Sequence, residues 1–370
     1  MTIPDAVFAQ TLFGFLAPVA PYLRDDKVSE IMINGFEEVY VEKGGRLERT
    51  DARFASDHAL ESAVRNIAQF VGKTVSADHP VLDARLPDGS RVCAILPPAA
   101  RRGICVSIRR FPKERLTVEQ LMKYGAITEA ARGFLELCVF LKRNVMVAGG
   151  TGSGKTSLLN ALSSFVPTHE RIVVIEDSSE VQLQQPHAVY LEARPPDAKG
   201  RGAVTIRDLL RATLRMRPDR IVVGECRGGE ALDLIQAMTS GHGGSLSTVH
   251  ATYPHDTLHR LETLCLMSDV ELPLSAMRAQ IGSAVNIIVQ TSRMNDGSRK
   301  ITHVAECLGL DEGGQYRLEM LFEWKQSGVD AKTGRVLGTL HPTGKLPTFV
   351  DEISGAGLAL PREMMVETRR

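Results

Sequence analysis

Between Val145 and Phe165 the chain passes from a short apolar run into Gly149-Gly150-Thr151-Gly152-Ser153-Gly154-Lys155-Thr156, and then into a helical pattern starting at Ser157. No other segment restricts the fold so tightly. The glycines let successive backbone N–H groups curl around an anion without Cβ clashes, and the following helix adds partial positive charge from its first turn. Lys155 can reach the β- and γ-phosphates of a nucleotide, and the Thr156 hydroxyl can hold Mg²⁺. Residues Gly149 to Ser157 therefore read as a nucleotide-binding P-loop.

The surrounding pattern fits such a loop. Apolar runs at Val145–Ala148, Ile172–Ile175, Ile221–Val223, Leu246–Val249 and Ile287–Val289 are mostly separated by helical patterns. That alternation predicts a parallel sheet covered on both faces, with ligands bound past the carboxyl ends of its strands. The stretch 300–340 reads as hairpins, one turning at Asp311-Glu312-Gly313-Gly314. Upstream, Ile31, Ile33, Val39 and Val41, then Ile104, Val106 and Ile108, show β-type alternation. A hairpin from Leu82 to Ile95 turns at Pro87-Asp88-Gly89, and one helix is capped by Ser56 and stopped by Gly72. The expected organisation is a short segment over 1–20, an α+β domain over 21–110, a linker over 111–128 beginning at Phe111-Pro112-Lys113, and the nucleotide-binding domain over 129–370.

Composition narrows the function. The chain has 370 residues, and its 44 basic and 44 acidic side chains cancel, so no global field draws it to nucleic acid or anionic lipid. Its six cysteines form no C-x-x-C pair, which suits reduced thiols in the cytoplasm and neither a zinc site nor a disulfide framework. The N-terminus lacks a basic region ahead of an apolar core, and no apolar stretch reaches the ~20 residues of a membrane span. Membrane contact is expected through partners alone.

Several constellations carry chemistry. Glu176, Asp177 and Glu180 follow the run at Ile172–Ile175, where carboxylates can hold metal waters or orient an attacking water; the bland alternative is a solvated acidic turn. Glu225 ends Ile221-Val222-Val223-Gly224-Glu225, a Walker B-like strand, and can contact Mg²⁺ through water or polarise the lytic water. Arg227-Gly228-Gly229-Glu230 looks like a helix start. His242 and His250 stand at the two ends of the Ser245–Val249 run, where they could sense a γ-phosphate, although lone histidines are usually structural. Arg207, Arg211 and Arg215 recur at helical spacing, ordinarily a solvated face. Because Pro218 ends that helix just before the Glu225 strand, Arg215 and Arg217 are expected near the active edge. Either could act as a phosphate sensor or trans-acting finger, as could Arg227, or Arg91, Arg101, Arg102, Arg109 and Arg110 upstream.

The order GGTGSGKT, IEDSSEVQL, RMRPDRIVVGECRGGEALDLIQAM, TSGHGGSLSTVHA resembles the secretion and pilus ATPases of the type II/type IV secretion superfamily. HATYPHDTLHRLETL, RAQIGSAVNIIVQTSRMNDGSRKITHVAE, HPTGKLPTFVDEISGAGLALP and the N-terminal VSEIMINGFEEVYVEKGGRLE narrow the resemblance to the CpaF/TadA branch, which powers Tad/Flp pili. The resemblance implies an α/β fold: a RecA-like P-loop NTPase core with a mostly parallel sheet and a C-terminal hairpin and helix extension, preceded by a small α+β, PAS-like domain. It implies ATP and Mg²⁺ as ligands, with Lys155 and Thr156 on phosphate and metal, Glu176, Asp177 and Glu180 as an Asp box, Glu225 as the Walker B glutamate, and His242 and His250 as a His box. It also implies a homo-hexamer with Arg91 and Arg109 in the segments that supply trans arginines, acting on polytopic inner-membrane platform proteins from the cytoplasmic face. The tetracysteine zinc module of other branches is missing.

The alternatives are a conjugation or effector-secretion ATPase of the same superfamily and a nucleotide-binding switch with little turnover, against which Glu180 and Glu225 speak. A nucleic-acid motor is disfavoured by neutral charge, and a small-molecule kinase by the lack of a visible lid or acceptor pocket.

Overall fold

A computed structural model describes residues 12–110, 116–196 and 200–365. Residues 1–11 of the expected N-terminal segment, and the start of the expected linker at Phe111-Pro112-Lys113, lie outside the described residues. The chain divides into two compact units, Met1–Glu114 and Arg115–Arg370.

The first unit is an antiparallel sheet backed by a helix. Its strands are β1 (Val28–Asn34), β2 (Val39–Lys43), β3 (Arg46–Arg49), β4 (Val81–Arg85), β5 (Arg91–Ile95) and β6 (Cys105–Arg109), in the order β3-β2-β1-β6-β5-β4. A short helix, α1 (Ala20–Arg24), precedes β1. Alternation puts Ile31, Ile33, Val41, Val92, Val106 and Ile108 into one core with Leu60, Val64 and Ile67 of α2 (Asp57–Phe70). Ser56 caps α2 by accepting from the Ala59 N–H. On the sheet face turned away from that core, Arg85, Arg91 and Arg109 lie side by side in register across β4, β5 and β6, and Glu30 of β1 continues the row. Arg91 also pairs with Asp83 at 3.2 Å.

The second unit is built on a 9-stranded sheet in the order β15-β14-β13-β12-β7-β11-β10-β8-β9. The strands are β7 (Val145–Gly149), β8 (Ile172–Glu176), β9 (Ala188–Glu192), β10 (Arg220–Cys226), β11 (Leu246–Val249), β12 (Ile287–Arg293), β13 (Arg299–Leu310), β14 (Tyr316–Val329) and β15 (Val336–Pro342). Neighbours from β12 through β7, β11, β10 and β8 to β9 pair in parallel, while β13, β14 and β15 add antiparallel hairpins at the β12 side. Helices cover both faces. Val145 and Val147 enter one core with α4 (Glu129–Phe140) and α5 (Lys155–Ser163), after the short α3 (Val118–Lys123). Met146 and Ala148 enter a second core with α6 (Ile206–Thr213), α7 (Glu230–Thr239), α8 (Pro254–Leu266) and α9 (Leu274–Ala284). A strand buried on both faces reads as an unbroken apolar run, which is why these strands stand out in the sequence.

Two elements depart from expectation. Residues 118–123 form α3 inside the stretch expected to be linker, closed at its start by a capping box between Thr117 and Gln120. The edge strand β9 falls outside the expected set of strands, because its residues are only half buried and Tyr190 is exposed. Among the described residues no helix is long and apolar enough to cross a membrane.

Candidate nucleotide site

The carboxyl end of β7 delivers the chain into the glycine turn. Gly149 is boxed in: an added Cβ would collide with Thr291 Oγ1 and Ser153 Oγ and lie 2.6 Å from the Thr291 carbonyl. Ser153 Oγ donates to the Gly150 carbonyl at 2.8 Å and sits 2.8 Å from Thr291 Oγ1, which donates to the Ala148 carbonyl at 3.0 Å. Gly152 and Gly154 take positive φ values of 69° and 95°, and Gly154 is the N-cap of α5. The helix starts at Lys155, two residues earlier than its apolar pattern suggests.

Lys155 is buried, and its ammonium donates to the Gly150 carbonyl at 3.1 Å. It also lies 3.4 Å from His250 Nε2, and that same nitrogen lies 2.8 Å from Glu225 Oε1. Nε2 can serve only one of them at a time, accepting from the ammonium when bare or donating to the carboxylate when protonated. Burial, then the Lys155 cation, holds His250 below its ordinary value, which favours the neutral ring. Glu225 Oε1 is buried without an aligned hydrogen-bond donor, the position a metal-bound water would satisfy. Glu225 Oε2 accepts from Arg227 Nε at 2.6 Å, and Arg227 Nη1 reaches Asp177 Oδ2 at 2.5 Å. Lys155, His250, Glu225, Arg227 and Asp177 thus form one chain of contacts along the strand ends.

Glu176 closes the floor of this edge. Its Oε1 accepts the backbone N–H groups of Glu180 and Val181, each at 2.8 Å, shaping the acidic turn. Gly224 faces it, and a Cβ there would lie 2.7 Å from Glu176 Cγ. Burial pushes the Glu176 carboxyl up to about 7 despite those two hydrogen bonds. A carboxyl whose folded pKa exceeds its unfolded one favours folding in its protonated form, so this contribution falls as pH rises from about 4.5 towards 7. Glu176→Gln keeps the acceptor oxygen and removes the charge. It is expected to stabilise the protein by about 3 kcal/mol at pH 8 and by much less at pH 5. Urea unfolding at both pH values measures this, and equal effects at the two would refute it.

Other residues lie elsewhere. His242 precedes the amino end of β11 while His250 follows its carboxyl end, so about 13 Å of strand separates them, and His242 does not join the cluster within the chain. Arg215 and Arg217 do not lie at the Glu225 edge. A helix leading into a parallel strand delivers the chain to that strand's amino end: α6 ends at Thr213, β10 starts at Arg220, and the backbone at Asp219 bonds to Arg171 before β8. Arg207 and Arg211 are not merely solvated, since both pair with Asp233 of α7, at 2.6 and 3.2 Å. Arg227 is engaged by this chain's own carboxylates, as a cis arginine. Arg110 is buried and donates to the Val28 carbonyl at 3.1 Å, a structural tie.

The structure adds residues that the sequence did not single out. Thr291 locks the glycine turn from β12. Arg299 Nε donates to the Gly152 carbonyl at 3.1 Å, and Arg293 Nη1 lies 3.5 Å from where a Gly152 Cβ would stand. No local motif marks them; the only signal was their hairpin, which belongs to the resemblance. Among the described residues no cluster of three or more His, Cys, Asp or Glu could cage a metal. A hard cation would be held by nucleotide phosphates and water, with Thr156 and Glu225 at hand.

A buried parallel strand, a glycine turn and a helix starting at a lysine define a P-loop protein on a RecA-like sheet. Residues 15–326 match the family described as "Type II/IV secretion system protein". A Mycobacterium tuberculosis protein provisionally named for conjugal transfer is 35% identical over 291 residues, covering 77% of this chain and 82% of its own. The type IV secretion system protein VirB11 of Brucella suis is 34% identical over 320 residues, covering 79% of this chain and 88% of its own. The solved structure of the pilus retraction motor PilT with bound ADP shares the fold, at a TM-score of 0.52 and 20% identity, over 79% of this chain and 78% of that one. The chain belongs to the type II/IV secretion system family, which includes the secretion ATPases.

Proposed function

We propose that this chain is an ATP-hydrolysing motor, working as a hexameric ring at the cytoplasmic face of the inner membrane and driving assembly of a Tad/Flp-type pilus through a polytopic platform. The observation that carries the ATPase reading is the contact chain from Lys155 through His250 to Glu225, set beside a glycine turn shaped for phosphate. In this reading the N–H groups of Gly150 to Thr156 and the Lys155 ammonium bind the phosphates, and Ser157 continues the helix start. Bound Mg²⁺ would supply charge neutralisation on the phosphate oxygens. Thr156 would hold the ion, Glu225 would orient or deprotonate the attacking water, and Glu176, Asp177 and Glu180 would hold outer waters. Arg227 would keep Glu225 in place. Arg91 and Arg109, joined in register by Arg85, would meet the nucleotide of a neighbouring subunit.

The test is Mg²⁺-dependent ATP hydrolysis by the purified protein. Lys155→Ala is expected to lower kcat/KM by at least about 10²-fold, as loss of a single phosphate-stabilising donor does. Undiminished hydrolysis in that variant would refute the assigned site. A second reading, a motor for type IV effector or DNA secretion, is favoured by the names and coverage of the M. tuberculosis and B. suis relatives. Deleting the gene separates the two: lost pili with intact transfer supports the first, and the converse supports the second.

A further inference from the structure

We infer that Arg299 and Lys300, the first two residues of β13, are positioning residues that tie the phosphate loop to the turn at 124–126, so that a nucleotide polyphosphate filling the loop resets that turn. The inference rests on the nucleotide-binding reading of the P-loop. It starts from three consecutive residues that hold two distant segments. Arg299 donates from Nε to the Gly152 carbonyl at 3.1 Å, and its Cγ and Cβ lie 3.7 and 3.8 Å from where a Gly154 Cβ would stand. Lys300 points away from the loop and is 8% exposed, and its ammonium donates to the carbonyls of Tyr124 and Gly125, each at 2.9 Å. Ile301 completes the set, its N–H donating to the Ala126 carbonyl at 2.9 Å.

The chemistry makes this tie stiff. A buried ammonium must keep its acceptors, because leaving them would strand a charge away from water. Burial holds the Lys300 ammonium below its ordinary pKa, opposed by Asp296 nearby. The two carbonyls that Lys300 caps end α3, the first described helix of the second unit, and the turn leads directly into α4. When phosphate oxygens draw the backbone N–H groups of residues 150–156 inward, the Gly152 carbonyl must turn with its peptide plane. Arg299 follows that carbonyl, and the strand carries Lys300 and Ile301 with it. The sequence around 124–126 carries no sign of a link to the P-loop.

The protein contains its own reporter. Trp324 is its single tryptophan, and the Lys300 ammonium lies 5.4 Å from the centre of its ring, within cation–π range. Filling the loop with a non-hydrolysable ATP analogue and Mg²⁺ is expected to give a saturable change in Trp324 emission. Arg299→Leu, a substitution at an exposed position, is expected to abolish that change at concentrations where calorimetry shows the loop filled, and Arg299→Lys to restore part of it. Both variants should unfold in urea close to the unaltered protein. An emission change that persists in Arg299→Leu would overturn the inference. Calorimetric binding without any emission change in the unaltered protein would overturn it alone, whereas absence of binding would remove the nucleotide reading as well.

Discussion

Replacing Glu225 by glutamine is expected to lower kcat for ATP hydrolysis by about 10³-fold while ATP still binds. Among the described residues the carboxylate is the one acidic group that meets both His250 and Arg227 at the strand ends. Glutamine keeps its size and one acceptor oxygen but cannot take a proton from water. It also weakens the hold of Arg227, which then retains Asp177 as its carboxylate partner in the cluster. In the proposed site, phosphate binding falls to the loop N–H groups and to Lys155, whose ammonium donates to the Gly150 carbonyl. A steady-state assay alongside calorimetry separates the two effects. Retention of a tenth of the activity, or loss of binding in step with turnover, would exclude the assigned role.

Glu170→Gln is expected to destabilise the second unit by about 3 to 5 kcal/mol, although it lies at the opposite edge of the sheet. Arg220 is fully buried at the start of β10, and its Nε meets Glu170 Oε2 at 2.5 Å. It also donates to the Gly244 carbonyl at 3.3 Å, while its other terminal nitrogen, Nη2, has no hydrogen-bond partner. Removing the carboxylate charge leaves a buried guanidinium opposed by neutral groups, with the Lys142 ammonium, which also pairs with Glu170 at 3.3 Å, as a nearby like charge. A loss of this size is a large share of the ~5–15 kcal/mol that holds a typical domain together. The double variant Glu170→Met with Arg220→Met removes both charges and is expected to be clearly more stable than Glu170→Gln alone. Urea unfolding of the two variants decides, and a double variant no better than the single one would refute the ion-pair account.

Much of the second unit was legible because its physics is local. A strand covered on both faces is an apolar run, and a phosphate turn needs glycines at fixed intervals, so Val145–Thr156 could be read directly. The short helix at Val118–Lys123 was not, because its one local mark, the Thr117 and Gln120 capping box, sits in surroundings that look like linker. β9 was not, since an edge strand with one wet face has no continuous apolar signal. Arg215 and Arg217 lie away from the Glu225 edge because, in a parallel sheet, nearness in sequence to the start of a strand means distance from its carboxyl end. His242, ahead of the start of β11, lies away from that edge for the same reason. Thr291, Arg293 and Arg299 were beyond reach because their partners lie far away along the chain, as the sequence separation of 138 between Ser153 and Thr291 illustrates.

That separation bears on synthesis. β7 pairs on one side with β11, Val145 opposite Leu246, and on the other with β12, Val145 opposite Ile287. Pairings so remote in sequence form late and slowly, and a ribosome adds residues one at a time from the N-terminal end. A nascent chain that has just emerged past Thr156 carries every letter of the phosphate motif, yet neither flanking strand, nor the threonine that braces its first glycine, has been made. The first unit can fold meanwhile, since its sheet closes within Val28–Arg109. The fold thus keeps the phosphate turn from being finished until the last quarter of the polypeptide has begun to appear.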